Sequence, residues 1–322
     1  SLPLDELLEI VESRICDLHG GIVSECGLRL IGDVAREEHK ALVRTAETGI
    51  PPGLVTGWRA VNEIIRPMRP GQLIIVAGRP GMGKSAMLLN LALFWAASGK
   101  HGVLFSLEME NGQLSNRAVQ GKAQYTQEDL DNIATHEFRE DIIADNLVAT
   151  NRLFGLPLFL CDDGHITLAK MQESLRDHQR QKGPLDFIML DYLQLLTPAA
   201  HNKNRSRDAE VGEMSRMLKI FARVYHCPVI VASQLNRGCE ERVPKRPLLS
   251  DLRESGNIEQ DSDIVVLLYR PGYYDDVEIK KAGMTPGVDI DTTEVRVAKQ
   301  RQGVTGTARL RWDGGRYSFR EI

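Results

Sequence analysis

Leu73-Ile74-Ile75-Val76-Ala77-Gly78-Arg79-Pro80-Gly81-Met82-Gly83-Lys84-Ser85 is the stretch on which the fold turns. Its first five residues are apolar, with the length and β-branching of a strand buried on both faces. Gly78 to Ser85 satisfies GxxxxGK[ST] without a mismatch, and a helical run, Ser85–Ser98, follows. Strand, glycine loop and helix in that order are the context the motif requires. The glycines let the backbone curl so that successive N–H groups face a phosphate, at a helix N-terminus that already favours anions. Lys84 can reach the terminal phosphates and the Ser85 hydroxyl can ligate Mg²⁺. The alternative, a glycine-rich turn with an incidental lysine, does not account for the flanking strand and helix. Binding of ATP or GTP is expected here.

A nucleotide site that hydrolyses needs a further carboxylate at a neighbouring strand end. Phe187-Ile188-Met189-Leu190-Asp191 supplies one, four apolar residues and then an acid. Asp191 would hold Mg²⁺ directly or through water, unless it only caps a helix. Glu108 ends the apolar run Val103–Leu107, where an acid can polarise an attacking water or be an ordinary exposed glutamate. Gln234 closes Val229–Ser233 and reads equally as a sensor of the γ-phosphate or as a polar loop residue.

Similar runs at Leu156–Leu160 and Ile264–Tyr269 alternate with stretches long enough for crossover helices, Asn111–Ala123, Thr167–Gln181 and Asp208–His226. Val295–Lys299, Gly306–Trp312 and Tyr317–Arg320 are expected as strands of another kind, with Asp313-Gly314-Gly315 as a turn between the last two. The pattern predicts a wound α/β domain with a mainly parallel sheet, finished by antiparallel strands. Ahead of it, Leu4, Leu7, Leu8, Val11, Ile15 and Leu18 share one face of an amphipathic helix that docks either on its own domain or on a neighbouring subunit. A second helix is expected over Ile31–Thr48, ending at Gly49 before Pro51-Pro52. That double proline is the clearest boundary, separating 1–50, read as linker and subunit-docking helices, from 51–322.

The 322 residues are 42% apolar and 26% charged, which excludes a largely disordered chain. Forty basic against 44 acidic side chains leave a net charge of −4, so a phosphate-binding surface must be local. Five cysteines, Cys16, Cys26, Cys161, Cys227 and Cys239, are odd in number and contain no CxxC pair, which argues for reduced thiols in a cytosol-like compartment. No apolar run approaches the ~18–20 residues needed to cross a bilayer, so no membrane partner is expected. The N-terminus lacks a signal peptide's basic start.

Together, Gly78–Ser85, Phe105-Ser106-Leu107-Glu108-Met109, Leu190-Asp191-Tyr192-Leu193-Gln194-Leu195, Ser233-Gln234-Leu235-Asn236-Arg237, the run from Asp251-Leu252-Arg253-Glu254-Ser255-Gly256 to Asp261, and Lys299-Gln300-Arg301 resemble successive motifs of the DnaB-type replicative helicases. The last two are the specific ones, because many NTPases share the phosphate loop. The resemblance runs from about residue 2 to Ile322 without the family's N-terminal helical domain. Since the chain begins at Ser1, an excised motor domain with its linker is expected, with a natural short form as the alternative.

The resemblance implies a RecA-like P-loop NTPase core over 51–322, hydrolysing ATP with Mg²⁺ at the subunit interfaces of a hexameric ring that moves along single-stranded DNA in the cytosol of a bacterium or of a phage's host. Primase and helicase loader are the further partners it suggests. Gly78, Arg79, Pro80, Gly81, Met82, Gly83, Lys84, Ser85, Arg117 and Gln300 would bind nucleotide, Ser85 and Asp191 the metal. Glu108 would be the catalytic base, Asp191 the acid of the second motif, and Gln234 the coupler of γ-phosphate to DNA. Lys299 and Arg301 would act in trans on the neighbour's site, and Arg253, Glu254 and Gly256 would follow the DNA phosphates. Two departures stand out: Gly81, where many relatives carry Ser, and Pro271–Asp291, longer than usual and without an assigned role.

Arg296, Lys299, Arg301, Arg309 and Arg311 lie between Glu294 and Asp313 with no acid among them, and call for an anionic partner, nucleic acid or a neighbour's triphosphate. Arg309 and Arg311 also fit a solvated strand face. Lys203, Arg205 and Arg207 fit a basic loop facing a DNA channel or a plain surface loop. A strand-exchanging recombinase shares this core, and a catalytically silent helicase-like scaffold is a third reading. The Asp251–Asp261 run and leading helix argue against the former, the intact Lys84, Ser85, Glu108 and Asp191 set against the latter.

Overall fold

The computed structural model describes residues 28–197, 207–242, 244–281, 283–285 and 289–322, with backbone alone for 207–208, 253–257 and 276–277. The amphipathic helix expected before Gly20 lies outside them, as do Lys203 and Arg205. The chain divides into two units, one ending at Pro52 and one running from Gly53 to Ile322. In the first, the helix Ile31–Thr48 stops where Gly49 turns left-handed (φ 68°), its N–H donating to the Thr45 carbonyl at 2.8 Å.

The second unit is built on one nine-stranded sheet. Strands β1 (Leu73–Gly78), β2 (Gly102–Ser106), β3 (Leu158–Cys161), β4 (Phe187–Asp191), β5 (Val229–Gln234) and β6 (Ile264–Tyr269) run parallel, and β7 (Thr292–Gln300), β8 (Gly306–Asp313) and β9 (Ser318–Glu321) extend the sheet antiparallel. Their spatial order is β3-β2-β4-β5-β1-β6-β7-β8-β9. Every residue of β1, β2, β4 and β6 is buried, as near-continuous apolar runs require when helices cover both faces.

Two cores result. Ile74 and Val76 face the helix Lys84–Ala97, Trp58 and the C-terminal Leu310 and Phe319. Leu73, Ile75 and Ala77 face the opposite way, onto Leu175, Leu218 and Phe221 of the helices Leu168–Lys182 and Arg207–Val224. The helix Arg139–Asn151 has no counterpart in the sequence reading. It buries only Ile142 and Ala149 while exposing Ile143, Leu147 and Val148, so its apolar residues trace no single stripe.

Strand register brings the carboxyl ends together. Gly78 is level with Gln234 across β1 and β5, and Ser106 with Asp191 across β2 and β4. The chain leaves β1 toward β2 on one side and returns with β6 on the other, the reversal at which open α/β sheets form their ligand crevice.

Candidate nucleotide site

The loop after β1 rises over this edge. Gly81 and Gly83 take positive φ, 79° and 91°, and Gly83 caps the helix that Lys84 opens. Around it lies a cavity of about 430 Å³ lined by Lys84, Ser85, Glu108, Arg117, Gln234 and the aromatic rings of Tyr192, Trp312 and Tyr317. Lys84 donates to the Arg79 carbonyl at 3.2 Å. Burial pulls its ammonium below the usual lysine range, against the opposing pull of Asp191 and Glu108.

Asp191 ends β4 at 2% exposure. Burial pushes its carboxyl above the ordinary carboxylate range, a hydrogen bond from Ser85 draws it back, and Glu108 adds to the rise. Its Oδ1 is buried without a hydrogen-bond partner. A divalent cation is the group such an oxygen fits. One carboxylate and one hydroxyl, completed by phosphate oxygens and water, make the donor set Mg²⁺ favours.

Glu108 stands two residues beyond β2, since that strand ends at Ser106 and not at Leu107 as the apolar run suggested. The Leu107 N–H makes the last bond of the parallel ladder, to the Asp191 carbonyl at 2.7 Å. The Ser106 hydroxyl bridges to Met109, donating to its carbonyl at 2.7 Å. Glu108 thus sits on a braced turn, exposed at the cavity. Gln234 closes β5, and the Gln194 side chain brackets it, accepting from its N–H at 3.2 Å and donating to its carbonyl at 3.2 Å.

Arg117 lies 4.5 Å over the Tyr317 ring. Trp312 and Tyr317 were missed as site residues. They lie near the expected turn Asp313-Gly314-Gly315, but the fold brings them here, with β9 carried across the loop helix by Asn90, which donates to the Tyr317 carbonyl and accepts from the Phe319 N–H, both at 3.0 Å.

Lys299, Gln300 and Arg301 are not brought to the cavity. Gln300 is level with Ile264 and Ile264 with Ile74, four residues before Gly78, roughly 13 Å down the sheet. Lys299 donates to the Glu259 carbonyl and to that of Ser262 at 2.9 Å. Burial, then the neighbouring Arg301, lowers its ammonium below the lysine range. Arg301, half exposed, donates to the Gln260 carbonyl and faces Asp263 at 3.6 Å. Arg253 and Glu254 belong to the 3-10 turn Leu249–Ser255, Gly256 opens the short helix Gly256–Asp261, and Arg207 opens another. The arginine-rich stretch of β7 and β8 has a carboxylate beside it after all: buried Glu294 accepts twice from Arg246 at 2.8 Å and faces Arg309 at 3.9 Å. Among the described residues no helix is long and apolar enough to cross a membrane.

The family model for the DnaB-like helicase C terminal domain matches residues 53–321. A probable replicative DNA helicase of Trieres chinensis is 35% identical over 99% of this chain and 68% of its own length. A replicative DNA helicase of Leifsonia xyli is 36% identical over 88% of this chain and 58% of its own. A solved DnaB-like replicative helicase, described with its interactions with primase, superposes with a TM-score of 0.79 at 28% identity, covering 99% of this chain and 71% of that one. The chain thus spans roughly three-fifths to two-thirds of these curated relatives.

Proposed function

Because the chain belongs to the DnaB-like helicase C terminal domain family, we propose that it is the motor of a replicative DNA helicase, fuelled by ATP with Mg²⁺ in the cavity at Lys84. The observation that carries this reading is Asp191, a buried carboxylate with one unpartnered oxygen beside Ser85 and Lys84. Such an arrangement costs free energy until a cation completes it. When bound, Mg²⁺ neutralises phosphate oxygens as negative charge shifts toward the leaving diphosphate.

This chain's own groups do the rest. Lys84 compensates the terminal phosphates, and the phosphate-loop N–H groups orient them. Glu108, exposed at the cavity, accepts the proton of the water that attacks the γ-phosphorus. Gln234 responds to loss of the γ-phosphate and passes the change along the strand ends toward Arg253, Glu254 and Gly256, which follow single-stranded DNA. Lys299 and Arg301, at the far end of the sheet, serve the triphosphate of the adjacent copy in a hexameric ring, where a trans arginine is worth ~10³–10⁵ in rate. Lys203, Arg205 and Arg207 bind phosphates of the single strand, and primase and a loader dock on the assembly in the cytosol. Recognition of phosphates rather than bases gives little sequence preference and steep salt dependence.

The test pairs two measurements on one sample: mass with a non-hydrolysable ATP analogue and single-stranded DNA, and ATPase rate with and without that DNA. A closed ring with DNA-stimulated turnover is expected. Full-speed hydrolysis by a solitary molecule overturns the proposal.

A further inference from the structure

The turn that follows β6 grips the phosphate loop from outside. The Arg270 guanidinium donates to the Gly81 carbonyl at 3.0 Å, and its backbone N–H approaches the Met82 sulfur at 3.3 Å. The same guanidinium lies 5.0 Å over the Trp312 ring, at the cavity wall. A Cβ added to Gly81 would come within 2.6 Å of the Tyr273 ring, so Tyr273 fills the volume a side chain at 81 would need. Tyr274, packed edge-on against Tyr273, donates to Glu240, which pairs with Arg79 of the loop.

The turn is itself pinned. Gly272 passes so close to Ile290 that a Cβ there would lie 2.0 Å from the Ile290 carbonyl oxygen. The Asp291 carbonyl in turn accepts from the Trp312 N–H at 2.7 Å. Both ends of the Pro271–Asp291 stretch are therefore tied to the sheet beside the cavity.

A glycine-rich loop has no intrinsic hold on its peptide planes. Within the loop the Met82 N–H donates to the Arg79 carbonyl at 3.3 Å, and rotating the Gly81–Met82 peptide would break that bond and swing the Gly81 carbonyl toward the cavity. Arg270 fixes that plane by holding the carbonyl outward, and Tyr273 blocks the space into which Gly81 would swing. We propose that Arg270 and Tyr273 are positioning residues for nucleotide binding, and that Gly81 and Tyr273 form a matched pair in which the ring replaces a side chain at 81. This rests on the reading of the cavity as the ATP site.

The test is a double-mutant cycle on the full chain, read as the dissociation constant of a non-hydrolysable ATP analogue. Gly81→Ser is expected to weaken binding about ten-fold, through the ring clash and the cost of a side chain at φ 79°, and Tyr273→Ala about three-fold. The double variant loses the clash, keeps the backbone cost and binds within about five-fold of the parent, a coupling of the size contacting residues show. Tyr273→Phe keeps the ring and binds as the parent does. Multiplicative single effects overturn the inference while leaving the ATP site standing; a parent chain that does not bind the analogue removes both. Should Gly81→Ser not fold, Arg270→Ala decides: about five-fold weaker binding with kcat within about two-fold is expected, as for a group acting on ground-state binding, and unchanged affinity overturns the inference.

Discussion

Arg79 and Glu240 form an ion pair at 3.1 Å that ties the phosphate loop to the turn after β5. The same guanidinium donates to the Leu235 carbonyl at 2.8 Å, one residue past Gln234. The loop and the end of β5 therefore share one buried cation, whose hydrogen bond holds the Glu240 carboxyl below the usual carboxylate range.

Glu240→Ala leaves that cation with its carbonyl partner alone. Glu240 keeps about a third of its side chain in water, so the expected loss is about 1 kcal/mol rather than the ~3–5 kcal/mol of a fully buried pair. Urea unfolding measures it. The KM for ATP is expected to rise several-fold, because Arg79 anchors the loop proposed to hold the phosphates.

Asp191→Asn separates stability from activity. The carboxylate is buried, and burial dominates the rise of its pKa, so the charge is a cost in the protein without metal. The amide removes that charge and with it the proposed anchor for the metal. ATPase activity is expected to fall by more than about 100-fold while the melting temperature stays equal or rises by a few degrees, the trade expected of a strained functional site. A lower melting temperature in the metal-free variant would contradict this account of Asp191.

The nucleotide site was legible wherever one residue sits at the end of an apolar run. Gly78–Ser85, Asp191 and Gln234 could be placed because a buried parallel strand declares itself and its last residue must emerge at the crevice. For Glu108 the apolar run overstates the strand by one residue, because Leu107 is apolar but pairing with β4 stops at Ser106 opposite Asp191. Trp312 and Tyr317 reach the cavity through a tertiary event, β9 crossing the loop helix, which no local period encodes. The same holds for Tyr273, whose meaning depends on a glycine 192 positions earlier. The Glu294 carboxylate beside the arginines belongs to the residue that bounded the acid-free stretch, and strand pairing folds it back among them.

Cys227 gives the alkaline limb of stability. Burial pushes its thiol up to about 12, against about 8.5 in an unfolded chain. Above about pH 8.5 the unfolded state releases a proton that the folded state keeps, so stability falls as pH rises, by up to about 1.4 kcal/mol per pH unit. Tyr225, also pushed up to about 12, adds its share above pH 10. Between pH 8.5 and 10 the parent is expected to lose about 2 kcal/mol in urea unfolding, and Cys227→Ala to show a much flatter slope whatever its stability at pH 7. Parallel slopes for the two proteins would mean another group governs this limb.

Arg301→Ala tests whether the site is completed by a neighbour. Strand register puts Arg301 at the opposite end of the sheet from Gly78, so its own Lys84 is out of reach. The variant is expected to bind nucleotide nearly as the parent does and to hydrolyse it at least about 10³-fold more slowly. Asp191→Asn fails in its own cavity but still carries Arg301. Mixed before assembly, the two inactive variants bring an intact Asp191 site against an intact Arg301, and ATPase activity should return in the mixture alone. If Arg301 worked on its own chain's nucleotide, every protomer in that mixture would lack an essential group. The mixture would then stay as inactive as its components, and Arg301 would have no part in a neighbour's site.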